Sequence, residues 1–517
     1  MLLHNQLLKS FRSPYFFSSF FHEFWHMRLS NKILQLFFIS AQLFFAGVIY
    51  GQNTVQQAIN SFASEPCFLH AGISFSAVDC ATGELIATLN PTLSLAPAST
   101  TKLFATATAI EILGASFSPK TRLYIDGIIQ ADSVLSGNLW IRGGGDPTLG
   151  SRYYNGDGLE DQFLQKWADT LLKMGIKKIT GSVISDASEF GYQGAPDGWG
   201  WSDMGNYYGA GASGLPIYDN MLRYYFKTST TVGSKTVLTG TFPTIPELNF
   251  TNYITAGGKG DNSYIFGAPY SLDRFGTGTL EKGVNRFVVK GSLPDPELTF
   301  AAEFVRVLGT KGIQVLSGYA NTRKQPSQSP TIRYATKQLV YTHNGKTIGS
   351  VAWWTNMKSV NLFAESLLCL VGYGTNGVGT TENSLNKLDA FWRDKINTKG
   401  LYINDGSGLS RTNAISSDHF CQLLQYMTKA KEFQTFYKTL PIAGVSGTLS
   451  SVCKNQPGEN RVHAKSGTMN RIKSYAGYVE STTGRRIAFA IIVSNFSCSN
   501  DVTLSKIEKI MNTLSTY

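Results

Sequence analysis

Hydrophobic and polar positions change texture four times along the chain. Early on, "GISFSAVDCATGELIATLN" alternates about the turn Ala81, Thr82, Gly83, with Ile73, Phe75 and Ala77 on one side, which predicts two paired strands. Next, "LAPASTTKLFATATAIEILG" repeats Leu103, Ala107, Ile110 and Leu113 at helical spacing and closes on Gly114, so Ser99 is expected in the first turn of a helix. From about Ser118 to about Leu293, short strand-like runs alternate with glycine turns, and residues 228–290, the most strand-like and polar, form a candidate subdomain. A helical pattern, "ELTFAAEFVRVLGTKG", follows, and "NTRKQPSQSP" reads as an exposed linker near residue 325. Helices return in "NMKSVNLFAESLLCLVGYG", "TTENSLNKLDAFWRDK" and "SSDHFCQLLQYMTKAKEF", before three strands and a final helix from Leu504.

Such an order can close into one antiparallel sheet built from both ends of the chain, with helices on its faces. The expected class is therefore mixed α/β (α+β) with a large β-rich insertion. The boundaries expected are 1–51 for a leader, 52–119 and 326–517 for the two parts of one domain, and 120–325 for the insertion. With 517 residues, 42% hydrophobic and 16% charged, the chain has the composition of a globular protein with a sizeable core.

Near the N-terminus, Arg28 and Lys32 precede an apolar stretch from Ile33 to Tyr50 that ends at Gly51. This order of basic flank, apolar core and small residue is that of a secretory signal starting at Met27, with a retained N-terminal anchor as the alternative. An exported, periplasmic or extracytoplasmic location is expected. The net charge is +11, and +3 of it falls within the first 51 residues. The remaining excess is diffuse, so nucleic acid is not an expected partner. Six cysteines show no paired metal spacing; an exported protein can bridge some of them, Cys67 and Cys80 being closest in sequence, and the spacing does not fix the connectivity. Neither a metal nor another cofactor is expected.

Ser99 and Lys102 carry the candidate chemistry. A neutral hydroxyl is a poor nucleophile and needs a base within hydrogen-bond reach. Spacing i, i+3 on a helix puts Lys102 beside Ser99 on one face. The same spacing recurs at Ser384/Lys387 and Ser451/Lys454, so spacing alone does not select the pair. A lysine acts as a base only when neutral, which demands burial or a nearby cation. Two later stretches supply partners: "KSVN", with Ser359 and Asn361, and "AKSGT", with Lys465, Ser466, Gly467 and Thr468.

In this order S-x-x-K, S-x-N and K-[ST]-G resemble the motifs of penicillin-binding proteins and serine β-lactamases. More specifically, "PASTTKL", "GGGDPTL", "KSVNLFAESLL", "NDGSGLSR" and "AKSGT" are similar to stretches of the D-alanyl-D-alanine carboxypeptidase/endopeptidase family of low-molecular-mass, class C type penicillin-binding proteins, whose transpeptidase-like domain carries a large insertion. The middle motif has Val360 where an acid or amide is common, and the third has Ser466 where threonine is common. The resemblance implies that Ser99 attacks the D-Ala-D-Ala carbonyl, Lys102 takes its proton and Ser359 relays a proton to the leaving D-alanine. Asn361 would hold Lys102 and the substrate amide. Lys465, with Ser466, would fix the terminal carboxylate and help keep Lys102 neutral, and the N–H groups of Ser99 and Thr468 would form an oxyanion hole beside Gly467. Peptidoglycan stem peptides and β-lactam antibiotics are the implied partners, with weak membrane association and oligomeric state left open. A β-lactamase or esterase, or a non-catalytic peptidoglycan-binding protein, are the alternatives on the same fold.

By their residues alone, the "NDGSG" stretch around Asp405 and the "GGGDPTL" stretch around Asp146 read as structural turns. "ENSLN", from Glu382 to Asn386, imitates a water-activating loop of class A β-lactamases, yet Leu385, Leu388, Phe391 and Trp392 at helical spacing make it a capped helix start. His463, the only histidine near a motif, reads as a strand side chain.

Overall fold

The computed structural model describes residues 54–156, 158–323 and 333–517. The leader and most of the expected linker lie outside them. The body, Gln56–Tyr517, is organised about a five-stranded antiparallel sheet in the order Val462–Met469, Ile472–Glu480, Arg486–Ser494, Gly72–Asp79, Leu85–Leu89. Both ends of the chain thus share one sheet, and Gly72 lies opposite Ser494. That closure brings Cys67 to Cys498, which form a disulfide, while Cys80, Cys369, Cys421 and Cys453 are free and buried.

The main core packs the helix Lys102–Leu113 against Asn361–Asn376, Thr381–Arg393 and Ser417–Lys429. Phe104 meets Trp392 edge to face and Phe420 at a tilt, and the Trp392 indole donates to Thr108 Oγ1 at 2.8 Å. A buried indole N–H without such a partner would be costly, so this bond fixes how the two helices lie together. The helix at the chain end runs from Asn500 to Ser515, four residues earlier than its apolar pattern indicates, because Ser499 caps it through Val502 N.

The insertion has a core of its own around Leu123, Ile141, Trp167, Phe300 and Phe304. One of its sheets has the order Tyr319–Asn321, Val183–Asp186, Leu139–Arg142, Lys120–Ile125, Gln338–Asn344. The last strand corrects the expected boundary at 325/326: it pairs antiparallel with Lys120–Ile125, so the insertion returns only at about residue 344. There Gly345 N donates to Pro119 O at 2.9 Å, clamping exit to entry. Two further differences stand out. A helix, Gln162–Lys173, interrupts the expected run of strands and buries Leu164, Trp167, Ala168 and Leu171. Residues 228–290 are strand-rich, but Ile254, Ile265, Leu280 and Val289 join the same core as Trp167, so the segment has no separate core. Among the described residues no helix is long and apolar enough to cross a membrane.

Candidate active site

Ser99 sits in a 3₁₀ turn, Ala98–Thr101, that leads directly into the helix Lys102–Leu113. Ala98 has a left-handed backbone (φ 51°), a conformation that an L side chain adopts at a cost and that persists only where neighbours enforce it. Those neighbours are present. Thr101 Oγ1 donates to Ala98 O at 2.9 Å, while the hydroxyls of Thr100 and Ser474 both donate to Pro97 O. Gly467 brings the strand Val462–Met469 against the turn: a Cβ there would lie 2.4 Å from Pro97 O and 3.0 Å from Ser99 N. Gly408 does the same for the "NDGSG" loop, where a Cβ would fall 1.9 Å from Ala98 O.

Lys102 is fully buried, and its Nζ has three neighbours: Ser99 Oγ at 2.9 Å, Asn361 Oδ1 at 2.7 Å and Ser407 O at 2.6 Å. The Asn361 amide is oriented by its Nδ2, which donates to Tyr208 O at 2.8 Å. A neutral amine has two N–H bonds and one lone pair. Two of the three neighbours are carbonyl oxygens that can only accept, so they take both N–H bonds and leave the lone pair facing the Ser99 hydroxyl. Burial pushes the Lys102 ammonium down to about 7, against the charges of Asp405 and Glu365, which oppose the fall. The geometry is therefore that of a base beside a half-buried alcohol.

Ser359 and Lys465 form a second pair. The stretch read as one helical pattern is broken here into Ile348–Met357 and Asn361–Asn376, and Ser359, at the break, has φ 58°. Lys465, fully buried, donates from Nζ to Ser359 Oγ at 2.9 Å and to Ser466 O at 2.7 Å. Burial lowers the Lys465 ammonium well below 10.5, and the Lys102 charge lowers it further. The expected influence of Lys465 on Lys102 thus gives way to burial as the main cause of a neutral Lys102. Ser466 Oγ donates to Thr448 Oγ1 at 2.9 Å, and Thr468 is exposed next to Gly467.

The "NDGSG" stretch, read as a structural turn, reaches the site through the Ser407 carbonyl. Asp405, fully buried, accepts from Gly408 N, Ser410 N, Asn413 Nδ2 and Trp199 Nε1 at 2.7 to 2.9 Å, which fixes the loop. Glu365 accepts from Gly406 N at 3.0 Å and Ser407 N at 2.7 Å. Sequence reasoning missed Glu365 and Tyr208, and read Ser407 as part of a structural turn that only the family resemblance put near the site. A signal for the first was available, since Glu365 follows Asn361 by four residues and so shares its helix face; the other two act through main-chain carbonyls. The remaining features lie elsewhere. Asp146 accepts from the main-chain N–H and hydroxyl of Thr148, His463 stacks on Tyr437, and Thr380 caps the helix that contains Glu382. No group of three or more His, Cys, Asp or Glu among the described residues could hold a metal ion.

Comparison with known proteins follows the same lines. The chain is 28% identical over 464 residues to a D-alanyl-D-alanine carboxypeptidase of Actinomadura sp. (strain R39), covering 86% of this chain and 81% of that protein. It is 26% identical over 451 residues to the D-alanyl-D-alanine carboxypeptidase DacB of Haemophilus influenzae, covering 83% of this chain and 86% of the relative. The crystal structure of penicillin binding protein 4 (dacB) from H. influenzae superposes with a TM-score of 0.74 at 23% identity, over 86% of this chain and 97% of that one, and so shares the fold. With a family model matched from residue 55 to residue 517, behind a serine and lysine held in the arrangement described, the chain belongs to the D-Ala-D-Ala carboxypeptidase 3 (S13) family.

Proposed function

We propose that this family member is an exported serine hydrolase that removes the terminal D-alanine of peptidoglycan stem peptides, also cuts D-Ala-linked cross-links, and is acylated by penicillins. The observation that carries the reading is the buried Lys102 amine, with both N–H bonds engaged and its lone pair 2.9 Å from Ser99 Oγ. In the first step Ser99 Oγ bonds to the carbonyl carbon of the penultimate D-alanine while its proton passes to Lys102 Nζ. The N–H groups of Ser99 and Thr468 receive the oxyanion, each worth about 3 kcal/mol of barrier. As the C–N bond breaks, Ser359 relays a proton to the departing D-alanine, whose carboxylate is held by Lys465 and Ser466. Asn361 aligns the substrate amide and Lys102. Water then cleaves the ester and regenerates Ser99.

The export component is supported by the leader's charge and hydropathy pattern and by the Cys67–Cys498 disulfide, which suits an oxidising compartment. The penicillin component is supported by the likeness to the H. influenzae protein, whose structure has been determined complexed with a β-lactam. Intact-protein mass spectrometry after penicillin treatment should show one covalent adduct that is absent from Ser99→Ala, and an unmodified wild-type protein would count against acylation. D-alanine release from a monomeric and a cross-linked stem peptide measures the carboxypeptidase and endopeptidase components separately.

A further inference from the structure

Glu365 is a fully enclosed carboxylate that touches neither Ser99 nor Lys102, yet both of its oxygens are committed to two successive N–H groups of the "NDGSG" loop. Oε2 accepts from Gly406 N and Oε1 from Ser407 N, and the carbonyl of Ser407 accepts from Lys102 Nζ at 2.6 Å. The carboxylate lies one helical turn beyond Asn361, which supplies the other carbonyl acceptor of the same amine. One rigid helix thus sets both N–H directions of Lys102, the first directly and the second through the loop.

We propose that Glu365 is a positioning residue of the acylation step: by holding the N–H groups of Gly406 and Ser407 it fixes the loop backbone so that the adjoining Ser407 carbonyl stays on Lys102 and the amine lone pair stays on Ser99. This rests on Lys102 being the base. The charged and titratable groups around Glu365 are Lys102, Asp405 and Cys369. Burial, with the Asp405 charge, pushes the Glu365 carboxyl up to about 8, while its bonds to the loop N–H groups favour the carboxylate.

The effect of Glu365→Gln has a definite sign. A glutamine offers one acceptor oxygen to two N–H donors and turns its own NH₂ towards the other, so the loop backbone at Gly406 and Ser407 shifts and the Ser407 carbonyl withdraws with it. A carbonyl binds an ammonium more strongly than a neutral amine. Losing it makes Lys102 harder to protonate and at the same time leaves its lone pair poorly aimed.

The test is the second-order rate constant for acylation by a fluorescent penicillin, followed from about pH 5 to about pH 9 on the full-length enzyme. For Glu365→Gln the plateau falls at least tenfold, as expected of a displacement near 1 Å, and the half-maximal point moves about one pH unit lower. Glu365→Asp keeps two acceptor oxygens but draws them back by one methylene; its plateau falls while its half-maximal point stays closer to that of the wild type. A Glu365→Gln plateau within twofold of wild type, or a half-maximal point that is unmoved or raised, overturns the proposal. Should Glu365→Gln fail to fold, a Glu365→Asp plateau within twofold of wild type overturns it alone. Absence of acylation in the wild-type enzyme at every pH is a different result and sinks the hydrolase reading itself.

Discussion

Acylation should carry the titration of Lys102 as its acid limb. In water a lysine side chain is an ammonium ion up to about 10.5; here burial brings the group down to about 7. That fall corresponds to about 5 kcal/mol against charging the amine in place, and it survives the opposing attraction of the Asp405 and Glu365 carboxylates. The base is active when neutral. The acylation rate constant should therefore be half-maximal near pH 7, level above about pH 8, fall tenfold per pH unit below about pH 6, and be about one-hundredth of the plateau at pH 5. The assay is stopped-flow acylation by a fluorescent penicillin in buffers of constant ionic strength, with the Ser99→Ala protein as blank. The same displacement bears on stability. Because the folded value lies below the unfolded one, this group's contribution is complete above about 10.5 and is lost as the pH falls through about 7. A half-maximal rate near pH 9 or above would mean that Lys102 is an ordinary ammonium at neutral pH, and the argument from burial would be refuted.

Three further outcomes follow from other parts of the site. Gly467→Ala places a methyl 2.3 Å from Ser474 Oγ and 2.4 Å from the main-chain oxygen of Pro97; the serine turn must shift, and acylation should drop at least tenfold, with a wild-type rate refuting the close approach. Ser359→Ala removes the hydroxyl that Lys465 holds and should lower kcat for a D-Ala-D-Ala peptide by roughly 10²–10⁴ with little change in melting temperature; a kcat within twofold of wild type excludes the relay. Cys498→Ser removes a cross-link between residues 431 apart and should destabilise the protein by about 2–5 kcal/mol, read as a lower melting temperature; an unchanged melting temperature would mean that the bond does not form.

What could be seen in the sequence was whatever side chains announce locally. The serine helix is legible because Leu103, Ala107 and Ile110 are buried at helical spacing and Gly114 ends it with a positive φ. The shared sheet is legible because both terminal segments are strand-like. The break at Ser359 is not. Between Met357 and Asn361 no glycine or proline marks it, and its left-handed backbone is imposed by the surroundings. The disulfide is hidden for a different reason: Cys80 is near Cys67 in sequence but points into the core beneath Ala488, whereas closing the sheet brings residue 498 alongside residue 67. The helix Gln162–Lys173 was obscured by the glycine-rich segments on either side, although Leu164, Trp167, Ala168 and Leu171 have helical spacing.

The least legible part is also the part that explains why the insertion is there. Two groups set the directions of the Lys102 N–H bonds, the Asn361 amide and the Ser407 carbonyl, and each depends on a residue of the insertion. Tyr208 O holds the Asn361 amide in the orientation that turns Oδ1 towards Lys102. Trp199 Nε1 donates to Asp405, the carboxylate about which the "NDGSG" loop is wound. Neither contact has a motif, since one is a main-chain oxygen and the other an indole in a glycine-rich loop. Without them Asn361 could flip, presenting an N–H to an amine that needs an acceptor, and buried Asp405 would lose one of its donors close to the base. The insertion therefore contributes to holding the two acceptors that aim Lys102.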